Sequence, residues 1–367
     1  MSSSILRNHR LIVSKQNLGM KFYASFWAVV VFFRLLLAQP PFSFDYEVYI
    51  YIIERLNALS FSEILTTNMV FPYTVSEGIV PIEFGFSLLV KIFSSLGLDP
   101  KISFSLIASA SVGLRVYTMR SLGVPFLWIL MINIIAITLL EANALRLGIA
   151  SSTLLFGFRQ LLWSRKISAF FAMAISLTFH LQVIIFLAPF VLFYLFSGWI
   201  NKSKLRLSLM LVGTSIAMVF VVQFLPMLAN EKLQEYVARG TSGSSGITLT
   251  SLLAAFLLGS VAIALRTGRG LYRDSRFFSA ILCASLPSAI MLVFLTNVAV
   301  IGDRAWQLAF LVLSTLFFTN WASVRSKRIP LYILAVLTLT VQVNVLARYP
   351  LSNFFSPPLP SIEYAGR

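Results

Sequence analysis

Runs of about 20 apolar residues recur along the whole chain, and they restrict its fold more than any other feature. A helix needs about 20 such residues to cross about 30 Å of hydrocarbon. Runs of about this length occupy residues 22–39, 102–119, 207–228, 248–265, 277–299, 305–322 and 330–347. Only 11% of the residues are charged and 58% are hydrophobic, whereas soluble proteins contain about 25% charged residues. The sequence therefore predicts an all-α polytopic integral membrane protein.

Two further apolar stretches are too long for one crossing. Val124–Trp163 would measure about 60 Å as a single helix at about 1.5 Å per residue, and Ser164–Ile200 raises the same difficulty. Each is predicted to fold as a helical hairpin with its few polar residues at the turn: Glu141, Asn143 and Arg146 in the first, His180 and Gln182 in the second. The expected total is then about 11 crossings, in a single transmembrane domain covering residues 1–367.

The basic residues predict how these helices are oriented. Residues 1–21 contain four basic side chains before the first apolar run, so the positive-inside rule places this tail in the cytoplasm. A long charged start, followed by Arg34 within the apolar stretch, does not resemble a cleaved signal peptide. With the crossings above, the Gly- and Ser-rich loop 229–247 and the tail 348–367 fall on the outer side. The loop is predicted to be flexible.

Residues 83–98 form a short apolar segment that carries Lys91. If this segment crossed the membrane, every later basic cluster would face outward, which is opposite to the positive-inside rule. We therefore expect an interfacial or re-entrant helix here, within one outer juxtamembrane segment, residues 40–101.

This topology resolves the net charge of +16 into two unlike halves. The inner loops contain 19 basic residues and one acid, Asp274, whereas the outer half contains 10 basic and 12 acidic residues. The positive-inside rule does not determine where acids lie, so the outer acids either bind cations, act in acid–base chemistry, or only solvate the loops. The inner basic clusters lack interleaved aromatic residues and do not predict nucleic-acid binding. One cysteine and two histidines exclude a disulfide framework and a His-rich zinc site.

An acidic and aromatic stretch directly follows the first crossing. It contains Asp45, Tyr46, Glu47 and Tyr49. Aromatic rings beside carboxylates are typical of sugar sites, since rings cover the apolar faces of pyranoses and carboxylates accept hydrogen bonds from hydroxyl groups. The alternative is an amphipathic interfacial helix with its tyrosines at the headgroup level.

Four other residues are predicted at the outer ends of helices, at a similar depth: Arg146, His180, Arg239 and Arg304. An arginine fork suits phosphate oxygens, and several arginines could hold a diphosphate. Transfer from a lipid-linked diphosphate needs cations to neutralise the leaving group and an Asp, Glu or His to deprotonate an acceptor hydroxyl. The alternatives are a salt bridge from Glu141 to Arg146 that closes the turn, and a structural role for His180.

The order of five short elements resembles the EpsG-type polysaccharide polymerases, relatives of the Wzy O-antigen polymerases. These elements are Asp45-Tyr46, Glu83-Phe84-Gly85-Phe86, Arg146-Leu147-Gly148-Ile149-Ala150, Phe179-His180 and Arg304. The resemblance spans roughly residues 22–320. The chain departs from the family pattern at Leu147, where the family often has Gln, and at Gln182, where it has a small hydroxyl residue.

The resemblance implies a GT-C-like fold and polymerisation of undecaprenyl-diphosphate-linked repeat units at the periplasmic face of a bacterial inner membrane. Membrane lipids and a chain-length regulator are the other implied partners. No metal cofactor is required, although the acidic outer segment leaves room for a divalent cation. The assigned roles are catalysis by Asp45, Glu83 and His180, diphosphate binding by Arg146, Arg239 and Arg304, and sugar binding by Tyr46, Glu47 and Tyr49.

Two other functions fit parts of this pattern. Another GT-C glycosyltransferase or an O-antigen ligase would use the same arginines with a different donor or acceptor. A polysaccharide transporter or flippase is expected to contain an internal repeat or paired half-helices and charge near the membrane midplane. The sequence has no convincing repeat, and nearly all of its outer charge lies at the rim.

Overall fold

The computed structural model describes most of the first 200 residues and a few later positions. The described residues are 19, 21–33, 35–36, 44–66, 70–73, 78–81, 83–137, 140, 144–200, 205–206, 209–210, 212–214, 216–217, 277, 280–281, 283–285, 307–309 and 311–315. The crossings predicted at 248–265 and 330–347, the loop 229–247 and the tail 348–367 lie outside them. The expected total of about 11 crossings therefore stays a prediction.

The described part is built almost entirely from helices. In chain order the elements are α1 (Lys21–Phe33), α2 (Phe44–Ala58), α3 (Phe61–Thr66), β1 (Val70–Tyr73), β2 (Gly78–Pro81), α4 (Phe84–Ser95), α5 (Pro100–Ser121), α6 (Phe126–Ala136), α7 (Leu145–Leu162), α8 (Lys166–Phe179), a 3₁₀ turn (Leu181–Val183) and α9 (Ile184–Ile200). Strands β1 and β2 pair antiparallel, with Val70 opposite Pro81 and Tyr73 opposite Gly78. The sequence predicted only helices and missed this two-stranded hairpin. Strands of four residues are too short to give a clear period-2 pattern.

Helices α5 and α7 run parallel. Ser111 and Ser152 share a hydrogen bond of 3.0 Å at a separation of 41 residues, and Arg159 and Tyr117 share one of 3.3 Å at a separation of 42 residues. A nearly constant separation means that both helices advance in the same direction, so the chain must reverse between Ser121 and Leu145. Helix α6 ends at Ala136 and α7 starts at Leu145. The predicted reversal within 124–163 is confirmed, while Glu141 and Asn143 at its tip lie outside the described residues.

Helix α7 lies between α5 and α8. The turn Trp163–Arg165 joins α7 to α8, and Gly157 allows close contact, because a Cβ there would lie 3.3 Å from the Ala169 carbonyl oxygen. Helix α8 ends where His180 adopts an extended backbone (φ −158°, ψ 108°). Helix α9 then returns along α7, since the rings of Phe158 and Phe190 are 4.7 Å apart. The second predicted hairpin is confirmed, with its turn at His180.

The lengths and surfaces of these helices suit a membrane. Pro100–Ser121 and the segment Leu181–Trp199 are each long and apolar enough to cross one. Helix α4 has 12 residues, which is about 18 Å at about 1.5 Å per residue and shorter than the hydrocarbon layer. Several large apolar side chains of α8 and α9 are exposed: Ile167, Phe170, Phe171, Leu195 and Trp199.

A polar pair inside the bundle was missed by the sequence patterns. Arg115 on α5 is fully buried, and its Nε donates a 2.9 Å hydrogen bond to Asn133 Oδ1 on α6. A charge within an apolar run is costly unless it is paired, so the position of Arg115 in the run 102–119 was a signal for such a partner.

Candidate functional site

The site begins where α4 meets the end of α8. A Cβ on Gly85 would lie 2.8 Å from the carbonyl oxygen of Thr178 and 2.9 Å from its carbonyl carbon. Backbone atoms cannot move aside cheaply, so only glycine permits this close approach between the first turn of α4 and the last turn of α8. As a result Glu83, just before α4, lies beside His180, just after α8.

Glu83 connects three elements through its two carboxylate oxygens. Oε2 accepts a charge-assisted hydrogen bond from Arg146 Nη1 on α7. Oε1 lies 2.9 Å from His180 Nδ1. The other ring nitrogen of His180, Nε2, is 3.1 Å from Oε1 of Gln182 in the 3₁₀ turn. Glu83 occupies the N-cap position of α4 but makes no side-chain cap hydrogen bond, because its carboxylate is directed to these tertiary partners instead.

Tyr49 of α2 also contacts Arg146. Its hydroxyl is 3.5 Å from both the backbone N and the Nε of Arg146, and the guanidinium Cζ is 5.9 Å from the centre of its ring. The centre of the Tyr49 ring also lies 5.8 Å from that of Phe86 and 6.1 Å from that of Phe104. Tyr49 is only 6% exposed. We call Tyr49, Glu83, Arg146, His180 and Gln182 the Glu83 cluster.

The surroundings of Glu83 favour its ionised form. Burial alone would raise the pKa of this carboxyl, but the Arg146 guanidinium and the hydrogen bond with His180 outweigh it and lower the pKa from 4.5 to about 2. The side chains of Glu83, Arg146 and His180 are 20%, 15% and 12% exposed, so these charges interact where water screens them weakly. At neutral pH Glu83 is a carboxylate of low basicity, which suits it to orienting its neighbours more than to removing a proton.

Two other acids of the outer segment have local structural partners. Glu63 and Ser60 form a capping box at the start of α3, in which the Ser60 N–H donates to Glu63 Oε2 at 2.6 Å and the Glu63 N–H donates to Ser60 Oγ at 3.3 Å. Asp99 caps α5 by accepting from the Lys101 N–H at 2.8 Å. These two carboxylates stabilise helix ends, so not every acid of residues 40–101 is a site candidate.

The structure thus brings together four of the residues predicted for the site: Tyr49, Glu83, Arg146 and His180. Asp45 lies one helical turn before Tyr49 on α2, so the two share a face, whereas the side chains of Asp45, Tyr46 and Glu47 lie outside what the structure describes, as do Arg239 and Arg304. Gln182, noted in the sequence as a polar turn residue and as a departure from the family, is a direct partner of His180. Within the described residues, no group of three or more His, Cys, Asp or Glu side chains could hold a metal ion.

A comparison with known families covers nearly all of the chain. The model of the EpsG family matches residues 25–357, a range that includes every residue of the Glu83 cluster. No curated protein and no solved structure matches the chain.

Proposed function

The chain belongs to the EpsG family, and we propose that it is a polysaccharide polymerase of a bacterial inner membrane. In this proposal it transfers glycan from an undecaprenyl-diphosphate-linked donor to a lipid-linked repeat unit at the periplasmic face, with its N-terminus in the cytoplasm. The observation that carries the proposal is the Glu83 cluster, in which a carboxylate, an imidazole and a guanidinium from distant parts of the sequence meet.

Arg146 supplies positive charge for the donor diphosphate. Its position is held by Glu83 and Tyr49, and a preorganised cation stabilises charge that develops on a leaving group without having to reorganise. Arg239 and Arg304 complete the diphosphate site in this proposal. An arginine fork binds two phosphate oxygens at once, so three arginines can together offset the negative charge of a diphosphate.

His180 is the proposed base. When Nδ1–H donates to the Glu83 carboxylate, the lone pair of a neutral imidazole lies on Nε2. An acceptor hydroxyl at Nε2 would lose its proton to that nitrogen as its oxygen forms the new bond to the donor sugar, while the bond from that sugar to the diphosphate breaks. Glu83 positions the ring and is itself too weak a base for this step. Asp45 is the alternative base, because it shares a helix face with Tyr49.

Gln182 suits both protonation states of His180. A side-chain amide has an acceptor oxygen and a donor nitrogen, which exchange places when the group turns over. It therefore accepts from Nε2–H of the imidazolium or donates to Nε2 of the neutral ring. An acceptor hydroxyl would take the place of this amide at Nε2. Sugar contacts are assigned to Tyr46 and Glu47, with Tyr49 reassigned to holding Arg146 because its ring is buried.

Gln182→Glu tests the role of His180. A carboxylate at this position favours the imidazolium, so the acid limb of the pH–rate profile should move to higher pH, with a lower rate at neutral pH. Gln182→Ala, which adds no charge, is the matched control, and its acid limb should lie within a few tenths of a pH unit of that of the wild type. If Gln182→Glu leaves the limb in place, the base is not His180, and Asp45 becomes the candidate.

The polymerase itself is tested by the lipid-linked glycans of cells that lack the gene. Single repeat units should accumulate, and Arg146→Ala, Arg304→Ala and His180→Gln should fail to restore long chains while being expressed normally. Arg55→Ala and Glu54→Gln, on exposed positions of α2, are the controls and should restore them. Accumulation of full-length polymer on the lipid carrier would instead indicate a ligase.

A further inference from the structure

The far end of α7 contains a second arginine site, built from aromatic rings. Arg159 is 4% exposed, and its Cζ lies 3.7 Å from the ring centre of Trp163, 4.9 Å from that of Tyr117 and 5.4 Å from that of Phe156. Arg165, just before α8, has its Cζ 5.6 Å from the same Trp163 ring. We call Tyr117, Phe156, Arg159, Trp163 and Arg165 the Arg159 cluster.

Two guanidinium groups that share one ring repel each other, yet neither is paired with an acid among the described residues. The acidic side chains that the structure describes all belong to the segment 44–99: Glu54, Glu63, Glu83 and Asp99. Among the residues that the structure describes, Arg159 donates from Nη2 to the Tyr117 hydroxyl, and its buried Nε has no hydrogen-bond partner. A buried cation with aromatic partners and an unused donor is a site at which an anion would be stabilised.

The surface beside the cluster indicates which anion binds. Arg165 and Lys166 are exposed, and the side chains that follow them on α8 are apolar and exposed, with Ile167 at 75% and Phe170 at 69%. Basic groups next to an exposed apolar helix face are typical of the boundary between headgroups and hydrocarbon, where tryptophan is also enriched. Basic pockets between transmembrane helices on the cytoplasmic side bind anionic headgroups.

We propose that the Arg159 cluster binds the headgroup phosphate of an anionic phospholipid, whose acyl chains lie along the exposed apolar face of α8. The Cζ atoms of Arg159 and Arg165 lie 3.7 and 5.6 Å from the centre of the Trp163 ring, so both guanidinium groups add positive charge beside that ring. A lipid is favoured over free phosphate because only a lipid also covers Ile167 and Phe170. The site lies at the other end of the bundle from the Glu83 cluster and does not depend on the function proposed for that cluster.

The test uses the full chain purified in a neutral detergent and measures its thermal unfolding with added lipid. Phosphatidylglycerol should raise the unfolding midpoint in a saturable way, whereas phosphatidylcholine and inorganic phosphate at the same concentration and ionic strength should not. Arg165→Gln, at an exposed position, should weaken the apparent affinity for phosphatidylglycerol about fivefold, and Arg159→Gln by at least as much. Arg55→Gln removes an exposed arginine on α2 and should bind as the wild type does.

Three results would overturn the proposal. Equal protection by phosphatidylcholine would mean that the headgroup charge is not recognised. Equal protection by inorganic phosphate would indicate a phosphate site without a lipid requirement. An unchanged affinity in Arg165→Gln, which has no buried charge to lose and is expected to fold, would place the phosphatidylglycerol elsewhere on the protein.

Discussion

Helix α7 carries one arginine at each end, and the two have partners of different kinds. Arg146 in the first turn is paired with the Glu83 carboxylate, whereas Arg159 in the last turn is surrounded by the rings of Tyr117, Phe156 and Trp163. About 20 Å of helix separates them at about 1.5 Å per residue. The same side chain on the same helix is thus fixed in a charge network at one end and left with aromatic partners at the other.

The difference has energetic consequences. When one partner of a buried ion pair is removed, the other stays charged and uncompensated, which costs about 3–5 kcal/mol. When a guanidinium is removed from among aromatic rings, only cation–π and packing contacts are lost, which amount to about 0.5–2 kcal/mol. The Glu83 cluster should therefore be sensitive to every change of charge, and the Arg159 cluster much less so.

The largest effect should be on chain extension when Arg146 is changed. We expect Arg146→Gln to lower the rate by about 10²–10³-fold, as for loss of one preorganised donor to a developing anion, and Arg159→Gln to lower it by less than about tenfold. Glycan length distributions made by the two variants at matched protein levels measure this. Equal losses in both would mean that the ends of α7 do not differ in function.

Acid should weaken the Glu83 end selectively. The folded-state pKa of Glu83 is about 2, below the value of 4.5 for the unfolded chain, so this carboxylate contributes stability above about pH 4.5 that is lost as the pH falls toward 2. A shift of that size corresponds to about 3 kcal/mol. The thermal unfolding midpoints of the wild type and of Glu83→Gln should differ most near neutral pH and become equal in acid. The control is Glu54→Gln, for which no comparable convergence is expected.

Close packing offers a third comparison, between Gly85 at the Glu83 end and Gly157 near the Arg159 end. Gly85→Ala places a methyl group against the backbone of Thr178 and should lower the stability by about 1–3 kcal/mol. It should also abolish most chain extension, because α4 would move away and separate Glu83 from His180.

Two other glycines are the comparison. In Gly157→Ala the new methyl group first meets the Met173 Cγ, at 3.1 Å, which can move, so the loss of stability should be smaller. Gly198→Ala on α9 meets nothing within 4 Å among the described residues and should be neutral or slightly stabilising. Unfolding midpoints rank the three, and an intact Gly85→Ala variant would remove the reason given for this glycine.

The sequence predicted much of this framework because its signals are long. Apolar runs of about 20 residues determine helices almost irrespective of their neighbours, and the arithmetic of helix length required reversals within 124–163 and 164–200, both of which the structure has. It also predicted Arg146 and His180 as site candidates, since charged or titratable groups at the ends of apolar helices are few, and Glu83 was added only by the resemblance to the EpsG-type family.

What the sequence did not predict is which of these groups are in contact. Glu141 was named only as an alternative partner of Arg146 and lies outside the described residues, whereas the structure pairs Arg146 with Glu83, which is 63 residues away. That pairing depends on Gly85 fitting against Thr178, a tertiary contact with no periodic signal. Tyr49 was assigned to sugar binding from composition, and only packing against Phe86 and Phe104 reveals that its ring is buried. From the sequence, Arg159 and Arg165 were only two of the basic residues counted on the inner side. The spacing of four residues between Arg159 and Trp163 does not reveal that Arg159 is buried.

A small effect on stability, with none on chain extension, is expected at the turn after α7, beside the Arg159 cluster. Ser164 has φ of +61°, a left-handed conformation that costs a residue with a Cβ about 1 kcal/mol and that glycine adopts freely at helix C-termini. Ser164→Gly should therefore raise the free energy of unfolding by up to about 1 kcal/mol, and Ser164→Val should lower it. Thermal unfolding of both variants measures this, and chain extension should stay as in the wild type, because Ser164 is at the opposite end of α7 from Arg146. A loss of chain extension in Ser164→Gly, with stability intact, would show that the two ends of α7 are coupled after all.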